Sequence, residues 1–272
     1  MAKQILVPTD FSSCAQCAAD LAMEMASTIG AEVHFYTHVE QDSYWGRLTG
    51  KSKSQERQTL DKVNTQFSAL KQRYKDKMVR ISTSHSYESI DLYLTKYLRR
   101  EQVGLVVLGT YGQSGVGEYM WGSETNKVAR VAEVPVLIVK QPLPTPDFSH
   151  VLFVSDFQYT AKSAFEQMLE ILQPYDSTLH LIEITGKHGS KTPEFQDQVA
   201  PFVQMAGSKH CVAYSISKET PGPELSRLVD QLQAQMVVIP NYLHPMRRIS
   251  SSKIIKAASE ALTSPVMTLN LR

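Results

Sequence analysis

Short hydrophobic runs alternate along the chain with longer segments in which apolar residues recur every three or four positions. The runs at 104–109 and 134–139 are apolar throughout, which is typical of parallel strands that helices cover on both faces. In the segment 12–29, the positions of Leu21 and Met25 belong to one apolar stripe and predict an amphipathic helix. This alternation indicates a doubly wound α/β sandwich, whose ligands lie beyond the carboxyl ends of the strands.

Strands and helices are predicted to alternate along the first half of the chain. We expect strands near 3–8, 32–39, 78–84, 104–109 and 134–139. We expect helices between them, near 12–29, 58–76, 88–101 and 122–132. Ser12 or Ser13 can cap the first helix, because serine side chains accept hydrogen bonds from the free amides at a helix start.

The second half of the chain repeats the first in its order of elements. The sequence QILVPTDF, which ends at Phe11, corresponds to HVLFVSDF, which ends at Phe157. The runs VGLVVLG and VPVLIV return as QMVVIP and SPVMTL, with Pro240 in the place of Gly109. A constant order at similar offsets indicates two copies of one unit. The sequence therefore predicts two tandem doubly wound α/β domains, each with a five-stranded parallel sheet.

A proline-rich segment separates the two copies. The sequence QPLPTPD at 141–147 has prolines at alternate positions, which favour a stiff and extended linker. We therefore predict domains at 1–141 and 148–272. The second copy is the shorter one, and the excess of the first is expected in the polar stretch Gln41–Gln58.

Composition and charge narrow the class of protein. The chain has 272 residues, of which 42% are hydrophobic and 20% are charged, as in ordinary globular proteins. Its formal net charge of +1 gives no overall attraction for nucleic acid, and no apolar run has the length of a membrane span. The odd count of three cysteines argues against a disulfide framework, and a strand-like run stands where a signal peptide would. We expect a cytoplasmic protein.

A glycine-rich segment, GTYGQSGVGEYMWGSETNKV, begins at the end of the predicted strand 104–109. Glycines let the backbone approach a ligand, and the free amides of a helix that begins near Gly122 favour an anion such as phosphate. The dinucleotide signature GxGxxG is absent after the first strand, where the chain reads VPTD. The P-loop spacing of glycines is present from Gly117 to Gly122, but Ser123 replaces the lysine, which disfavours P-loop hydrolysis.

The pattern G-x2-G-x9-G-S, formed by Gly109, Gly112, Gly122 and Ser123, resembles the nucleotide-binding motif of the universal stress protein family. Other short sequences agree with that family: the PTD after the first strand, the HV that closes the second and the VPV that opens the last. The resemblance covers nearly the whole chain as two copies. It implies domains of the adenine nucleotide alpha hydrolase-like fold.

The resemblance also implies a ligand, which is ATP or another adenine nucleotide bound at the carboxyl ends of the strands. Ser123 and the motif glycines would contact the phosphates, Asp10 would lie near the ribose and a bound Mg²⁺, and the backbone of Val39 would face the adenine. Family members commonly pair their last strands, so the two copies could form a pseudo-dimer within one chain, and two chains could form a homodimer. The expected binding residues are Pro8, Thr9, Asp10, Val39, Leu108, Gly109, Gly112, Gln113, Gly122, Ser123 and Glu124.

The chain departs from the family pattern in its charges and in its second copy. Tyr111 stands where family loops often carry His or Arg, and no Lys or Arg occurs between the first motif glycine and Glu124. Phosphate charge would then be met by amides, Ser123 and a metal ion. In the second copy, Pro240 and Leu243 replace the first two glycines, so we expect no ATP binding of the family type there.

Several functions remain open at the level of sequence. The first is a regulatory stress-response protein with an unidentified protein partner. The second is a slow ATPase or phosphotransferase, although no general base or arginine is visible beside the loop. The third is a scaffold with a vestigial nucleotide site. Cys14 and Cys17 form a CxxC at a helix start, where redox-active thiols occur, but both fall on the apolar face and favour core thiols.

Overall fold

The structure is a computed structural model, which describes residues 4–39, 52–100, 103–110, 128–129, 132–143, 146–185, 193–217, 221–242 and 262–271. The first half contains β1 (Gln4–Pro8), α1 (Ser13–Ile29), β2 (Glu32–His38), α2 (Ser52–Arg73), β3 (Ile81–Ser86), α3 (Ile90–Arg100), β4 (Val103–Gly109) and β5 (Val136–Val139). The second half contains β6 (His150–Ser155), α4 (Ala161–Leu172), β7 (Thr178–Thr185), α5 (Pro193–Ala206), β8 (Cys211–Ser217), α6 (Pro221–Leu232), β9 (Met236–Tyr242) and β10 (Val266–Leu271). Strands and helices thus alternate as far as β4 in the first half and as far as β9 in the second.

All these strands belong to one ten-stranded sheet with the order β3-β2-β1-β4-β5-β10-β9-β6-β7-β8. Within each half the neighbouring strands are parallel. The two halves join where β5 pairs antiparallel with β10, with Val136 opposite Thr268 and Ile138 opposite Val266. The predicted α/β fold with two doubly wound five-stranded halves is confirmed. The domain boundaries at 1–141 and 148–272 stay a prediction.

Helices cover both faces of the sheet, and the alternation of side chains along each strand decides which core a residue enters. Val7 and Phe35 point to the face covered by α1 and α2, and Leu6 and Tyr36 point to the face covered by α3. The core under α1 and α2 continues without a break into the core under α4 and α5. The residues under α6 form a separate cluster on the other face. One core therefore runs across both halves on one side of the sheet.

The central strands are buried as their unbroken apolar sequence predicts. All four residues of β5 are buried, and only the glycines of β4 are partly exposed. Complete burial of each Val, Leu or Ile side chain stabilises the fold by about 1.5–3 kcal/mol relative to exposure. These strands therefore form a stable base for the loops at their carboxyl ends.

Two predicted elements have displaced boundaries, both in polar sequence. The strand predicted at 78–84 lies at Ile81–Ser86, because Met78 is fully exposed and does not belong to the apolar pattern of a strand. The helix predicted from residue 58 begins at Ser52, so the end of the predicted insertion is helical. The added turns contain Lys, Gln, Glu and Arg, which have high intrinsic helix propensity but give no apolar periodicity. The helix predicted at 122–132 falls mostly outside the described residues, although 128–129 are helical.

Candidate functional site

The order of strands reverses between β1 and β4, which are parallel neighbours at the centre of the first half. Open α/β sheets bind ligands in the crevice beyond the carboxyl ends of the strands at such a reversal. β1 ends at Pro8 and β4 ends at Gly109, so the structure brings the predicted residues Pro8, Thr9, Asp10, Leu108 and Gly109 to this edge. The corresponding reversal of the second half lies between β6 and β9.

Gly109 lies directly against the first turn of α1. A Cβ atom on Gly109 would stand 2.2 Å from the carbonyl oxygen of Cys14 and 2.7 Å from the amide nitrogen of Ala15. Both are backbone atoms, so no side-chain movement would make room. The sequence alone suggests the approach of a ligand as the reason for this glycine. In the structure it permits the close approach of β4 and α1, which sets the distance between the two elements that border the site.

Between β1 and α1 the chain makes a tight turn that carries Asp10. The backbone N–H of Phe11 donates to Oγ1 of Thr9 (2.9 Å), and the N–H of Ser12 donates to Oδ1 of Asp10 (2.9 Å). Ser12 then caps α1, since its Oγ accepts the N–H of Ala15 (3.2 Å). Thr9 is buried and Asp10 is exposed. Within the described part of the chain, Oδ2 of Asp10 accepts no hydrogen bond, so this oxygen is available to a ligand.

The second copy reproduces the turn at the end of β6. The N–H of Phe157 donates to Oγ of Ser155 (3.1 Å), and the N–H of Gln158 donates to Oδ1 of Asp156 (3.1 Å). The helix that follows differs, because Thr160 at its start makes no capping hydrogen bond with its side chain. The aspartate therefore has a folding role in both halves. That role does not depend on the glycine motif, which only the first copy carries.

The end of β2 is tied to the turn that follows β3. Val39 is buried and its N–H donates to the carbonyl oxygen of Ser86 (2.9 Å). Nδ1 of His38 and the hydroxyl of Tyr36 both donate to the carbonyl oxygen of Glu88, at 2.8 and 2.9 Å. Because the N–H of Val39 is used within the sheet, a ligand would have to meet this backbone through the carbonyl group.

A buried histidine lies under α3, at the third position of β2. Nδ1 of His34 is 2.7 Å from Oγ of Ser82, and Nε2 is 2.7 Å from Oγ of Ser84 and 3.2 Å from the hydroxyl of Tyr93. Burial lowers the pKa of His34 to about 4, because the charged ring would lose its hydration. His34 is therefore neutral at physiological pH and has a packing role.

The third position of β7 also holds a buried histidine, His180. Its Nε2 lies 3.0 Å from Nδ1 of His150. Burial lowers its pKa to about 4, with smaller contributions from the charges of His150 and His210. Sequence reasoning missed both buried histidines, because one polar residue in a strand does not reveal which face covers it. The repeat itself could have revealed them, since they occupy equivalent positions.

The CxxC at the start of α1 does not have the properties of a reactive pair. Sγ of Cys17 donates to the carbonyl oxygen of Ser13 (3.2 Å), and its side chain joins the main core. Burial, followed by the neighbouring Cys14, raises the pKa of the Cys17 thiol, whereas redox-active thiols usually have a lowered pKa. This favours the interpretation as core thiols. In the described part of the chain, no group of three or more metal-ligating side chains is assembled.

Part of the predicted site lies outside the described residues. This part comprises Gly112, Gln113, Gly122, Ser123 and Glu124.

The described helices include none that is long and apolar enough to cross a membrane.

Three comparisons relate the chain to known proteins. A model of the universal stress protein family matches residues 1–140. The universal stress protein MJ0531 of Methanocaldococcus jannaschii is 26% identical over 148 residues, which is 52% of this chain and 83% of that protein. The crystal structure of a universal stress protein from Archaeoglobus fulgidus aligns with a TM-score of 0.72 at 16% identity, covering 99% of each chain. A putative universal stress protein from Pseudomonas aeruginosa aligns with a TM-score of 0.67 at 15% identity, covering 99% of this chain and 94% of the other. At these identities the two structures demonstrate a shared fold over the full length.

Proposed function

Because the chain belongs to the universal stress protein family, we propose that its first half binds an adenine nucleotide, ATP with Mg²⁺, between the ends of β1 and β4. One observation carries the proposal. The reversal of strand order brings Asp10 to the edge at which Gly109 begins the glycine motif. A carboxylate beside a phosphate-binding loop at such an edge is suited to a nucleotide with its cation.

Each part of the ligand has a matching group in this proposal. Gly112, Gly122 and Ser123 would hold the phosphates, with the backbone of Val39 facing the base. Mg²⁺ prefers oxygen ligands, and Oδ2 of the exposed Asp10 is a carboxylate oxygen without a hydrogen bond in the described chain. Phosphate oxygens and water would supply the other ligands of the ion. The remaining expected contacts would come from Pro8, Thr9 and Leu108 at the same edge and from Gln113 and Glu124 in the loop.

The proposed role of the nucleotide is regulatory. Its binding would favour one arrangement of the loop that begins at Gly109, and a protein partner would recognise the surface that results. The second half has Pro240 in place of the first motif glycine, so one nucleotide per chain is expected. We place this activity in the cytoplasm.

A scaffold without a nucleotide is the second candidate, and a specific observation favours it. Gly109 is required by its contact with α1, and the hydrogen bond of Asp10 recurs at Asp156 in the copy without the motif. Both residues would therefore be retained for folding alone. A slow ATPase is a third candidate, and multiple turnovers of phosphate release would support it.

Native mass spectrometry of freshly purified protein, followed by chromatography of the denatured supernatant, tests the proposal directly. One adenine nucleotide per chain is the expected result. If the protein is empty, it is titrated with ATP and Mg²⁺ in a calorimeter. Protein that stays empty after this addition contradicts nucleotide binding and supports the scaffold.

A matched pair of variants then locates the site. Asp10→Asn keeps an oxygen for the N–H of Ser12 but removes the charge, and should weaken binding of ATP with Mg²⁺ by roughly tenfold or more. Asp156→Asn makes the same change in the second copy and should leave the affinity unchanged. Equal losses in both variants would place the ligand elsewhere. Gly122→Val should empty the site without unfolding the chain.

A further inference from the structure

Phe11 has a backbone conformation that is rare for a residue with a side chain. Its φ angle is 61°, in the left-handed region that normally favours glycine. Phe157, its counterpart in the second copy, has a φ of 51°. In the described part of the chain only Phe148 and Gln233 are further non-glycine residues with positive φ. The same unfavourable conformation at the same place in both copies indicates that the surrounding packing enforces it.

The left-handed residue sets the direction of the hydrogen bonds in the turn. After the left-handed Phe11, the next N–H, that of Ser12, donates to Oδ1 of Asp10. Its own N–H is held by Oγ1 of Thr9. The carboxylate is thereby fixed through one oxygen, and its other oxygen stays free of hydrogen bonds in the described chain.

Aromatic packing holds the turn in this conformation. The ring of Phe11 meets the ring of Phe67 on α2 edge to face, with centroids 5.2 Å apart. Phe157 meets Phe202 on α5 in the same way, also at 5.2 Å. Phe67 and Phe202 are both buried and belong to the main core. Each copy therefore anchors its turn to the second helix of its own half.

We propose that Phe11 is a positioning residue for the ligand of Asp10. Its left-handed backbone, held by the contact with Phe67, fixes the carboxylate so that Oδ1 is bound by Ser12 and Oδ2 faces the ligand. The inference rests on the proposed nucleotide function and deepens it, because it connects α2 to the affinity of the site. In the second copy, the same contact serves folding only.

The test weakens the aromatic contact without touching the turn. Phe67→Leu keeps an apolar side chain and loses the edge-on ring, and Phe202→Leu is the matched change in the other half. Each variant is first shown to be folded by circular dichroism, and its affinity for ATP with Mg²⁺ is measured by calorimetry. We expect Phe67→Leu to weaken binding by about threefold to tenfold, in the lower part of the range of coupling between residues in contact, and Phe202→Leu to leave it unchanged.

A double-mutant cycle separates positioning from a general structural effect. If Phe67 acts through Asp10, the loss caused by Phe67→Leu disappears when Asp10 is already Asn. An undiminished loss in that background, or full affinity of the single variant, overturns the inference while the proposed function stands. Phe11→Gly is a second variant for the same cycle, because glycine adopts positive φ without strain but lacks the ring. Its loss of affinity for ATP with Mg²⁺ should match that of Phe67→Leu. Wild-type protein that binds no nucleotide overturns both the inference and the proposed function.

Discussion

The carbonyl oxygen of Cys14 lies 2.2 Å from the point that a Cβ atom on Gly109 would occupy. The first turn of α1 therefore packs on the bare backbone at the end of β4. Because α1 begins after its cap Ser12, two residues after Asp10, this contact also fixes where the aspartate lies relative to the end of β4. The distance between the two sides of the proposed site thus depends on one missing side chain.

Replacing Gly109 by alanine should destabilise the protein by about 3 kcal/mol, the upper end of the usual cost of overpacking, because backbone atoms must move. The measurement is the free energy of unfolding in urea. Gly30→Ala is the control, since Gly30 has a φ of 69° but open space around it, and should cost only about 1–2 kcal/mol. Equal losses of unfolding free energy in the two variants would show that the close contact with Cys14 adds nothing to the cost of the substitution.

Acid should destabilise the fold through His34. Its pKa of about 4 in the folded state lies below the ordinary 6.5, so the unfolded chain binds the proton first. Above about pH 6.5 the free energy of unfolding is not reduced by His34. As the pH falls towards about 4, the unfolded chain takes up the proton and the free energy of unfolding falls by at most about 3 kcal/mol. Unfolding in urea is compared between about pH 7 and about pH 4.5.

The variant His34→Gln can still reach the serine hydroxyls but does not titrate, so its stability should fall less over the same range of pH. The comparison must use the difference between wild type and variant, because His180 titrates in both. A constant difference at all pH values would contradict the assignment of the acid sensitivity to His34.

Lys140 should stabilise the junction of the two halves. Its Nζ donates to the carbonyl oxygen of Leu262 (3.0 Å), which lies before β10. Lys140→Met should cost about 1–2 kcal/mol, because it leaves a partly buried carbonyl without this donor. Lys209→Met is the matched control, since Nζ of Lys209 donates to the carbonyl oxygen of Tyr175 within the second half. Only Lys140→Met should separate unfolding into two steps, detected as a lower urea m-value.

Tyr74 on the segment after α2 should anchor that helix to α1. Its hydroxyl donates to Oδ1 of Asp20 (2.6 Å), and Arg73 also donates to that carboxylate (3.2 Å). Burial, helped by the hydrogen bond to Asp20, raises the pKa of Tyr74. Tyr74→Phe should cost about 1.5–3 kcal/mol in thermal or urea unfolding, because a bond to a charged group is lost. Tyr159→Phe, at an exposed tyrosine, should change little.

Local patterns in the sequence were sufficient for much of the fold. The runs that became β4 and β5 are apolar without interruption, and the repeat of QILVPTDF as HVLFVSDF predicted two copies of one unit. The start of α2 at Ser52 could not be predicted from periodicity, because the added turns are polar and gain their structure from intrinsic propensity.

The sheet edge that carries Asp10 and Gly109 was predictable from the sequence, but the contacts of these residues were not. β1 and β4 are parallel neighbours, so both residues follow or end strands at the same edge of the sheet. Ligand binding at this edge stays a prediction. The reason for the glycine depends on the neighbouring Cys14, a tertiary contact that no local pattern contains. The left-handed conformation of Phe11 was equally hidden, because aromatic residues rarely adopt it.

The pairing of β5 with β10 within one chain affects how the two halves behave at low protein concentration and how their sequences can diverge. The segment between Val139 and His150 keeps both partner edges in one molecule, so the effective concentration of one for the other is high at any protein level. Two separate chains joined at the same strands would part when diluted. In separate identical chains, every amino-acid change would also appear twice. Here a substitution such as that of Pro240 for the counterpart of Gly109 alters one half and leaves the other intact.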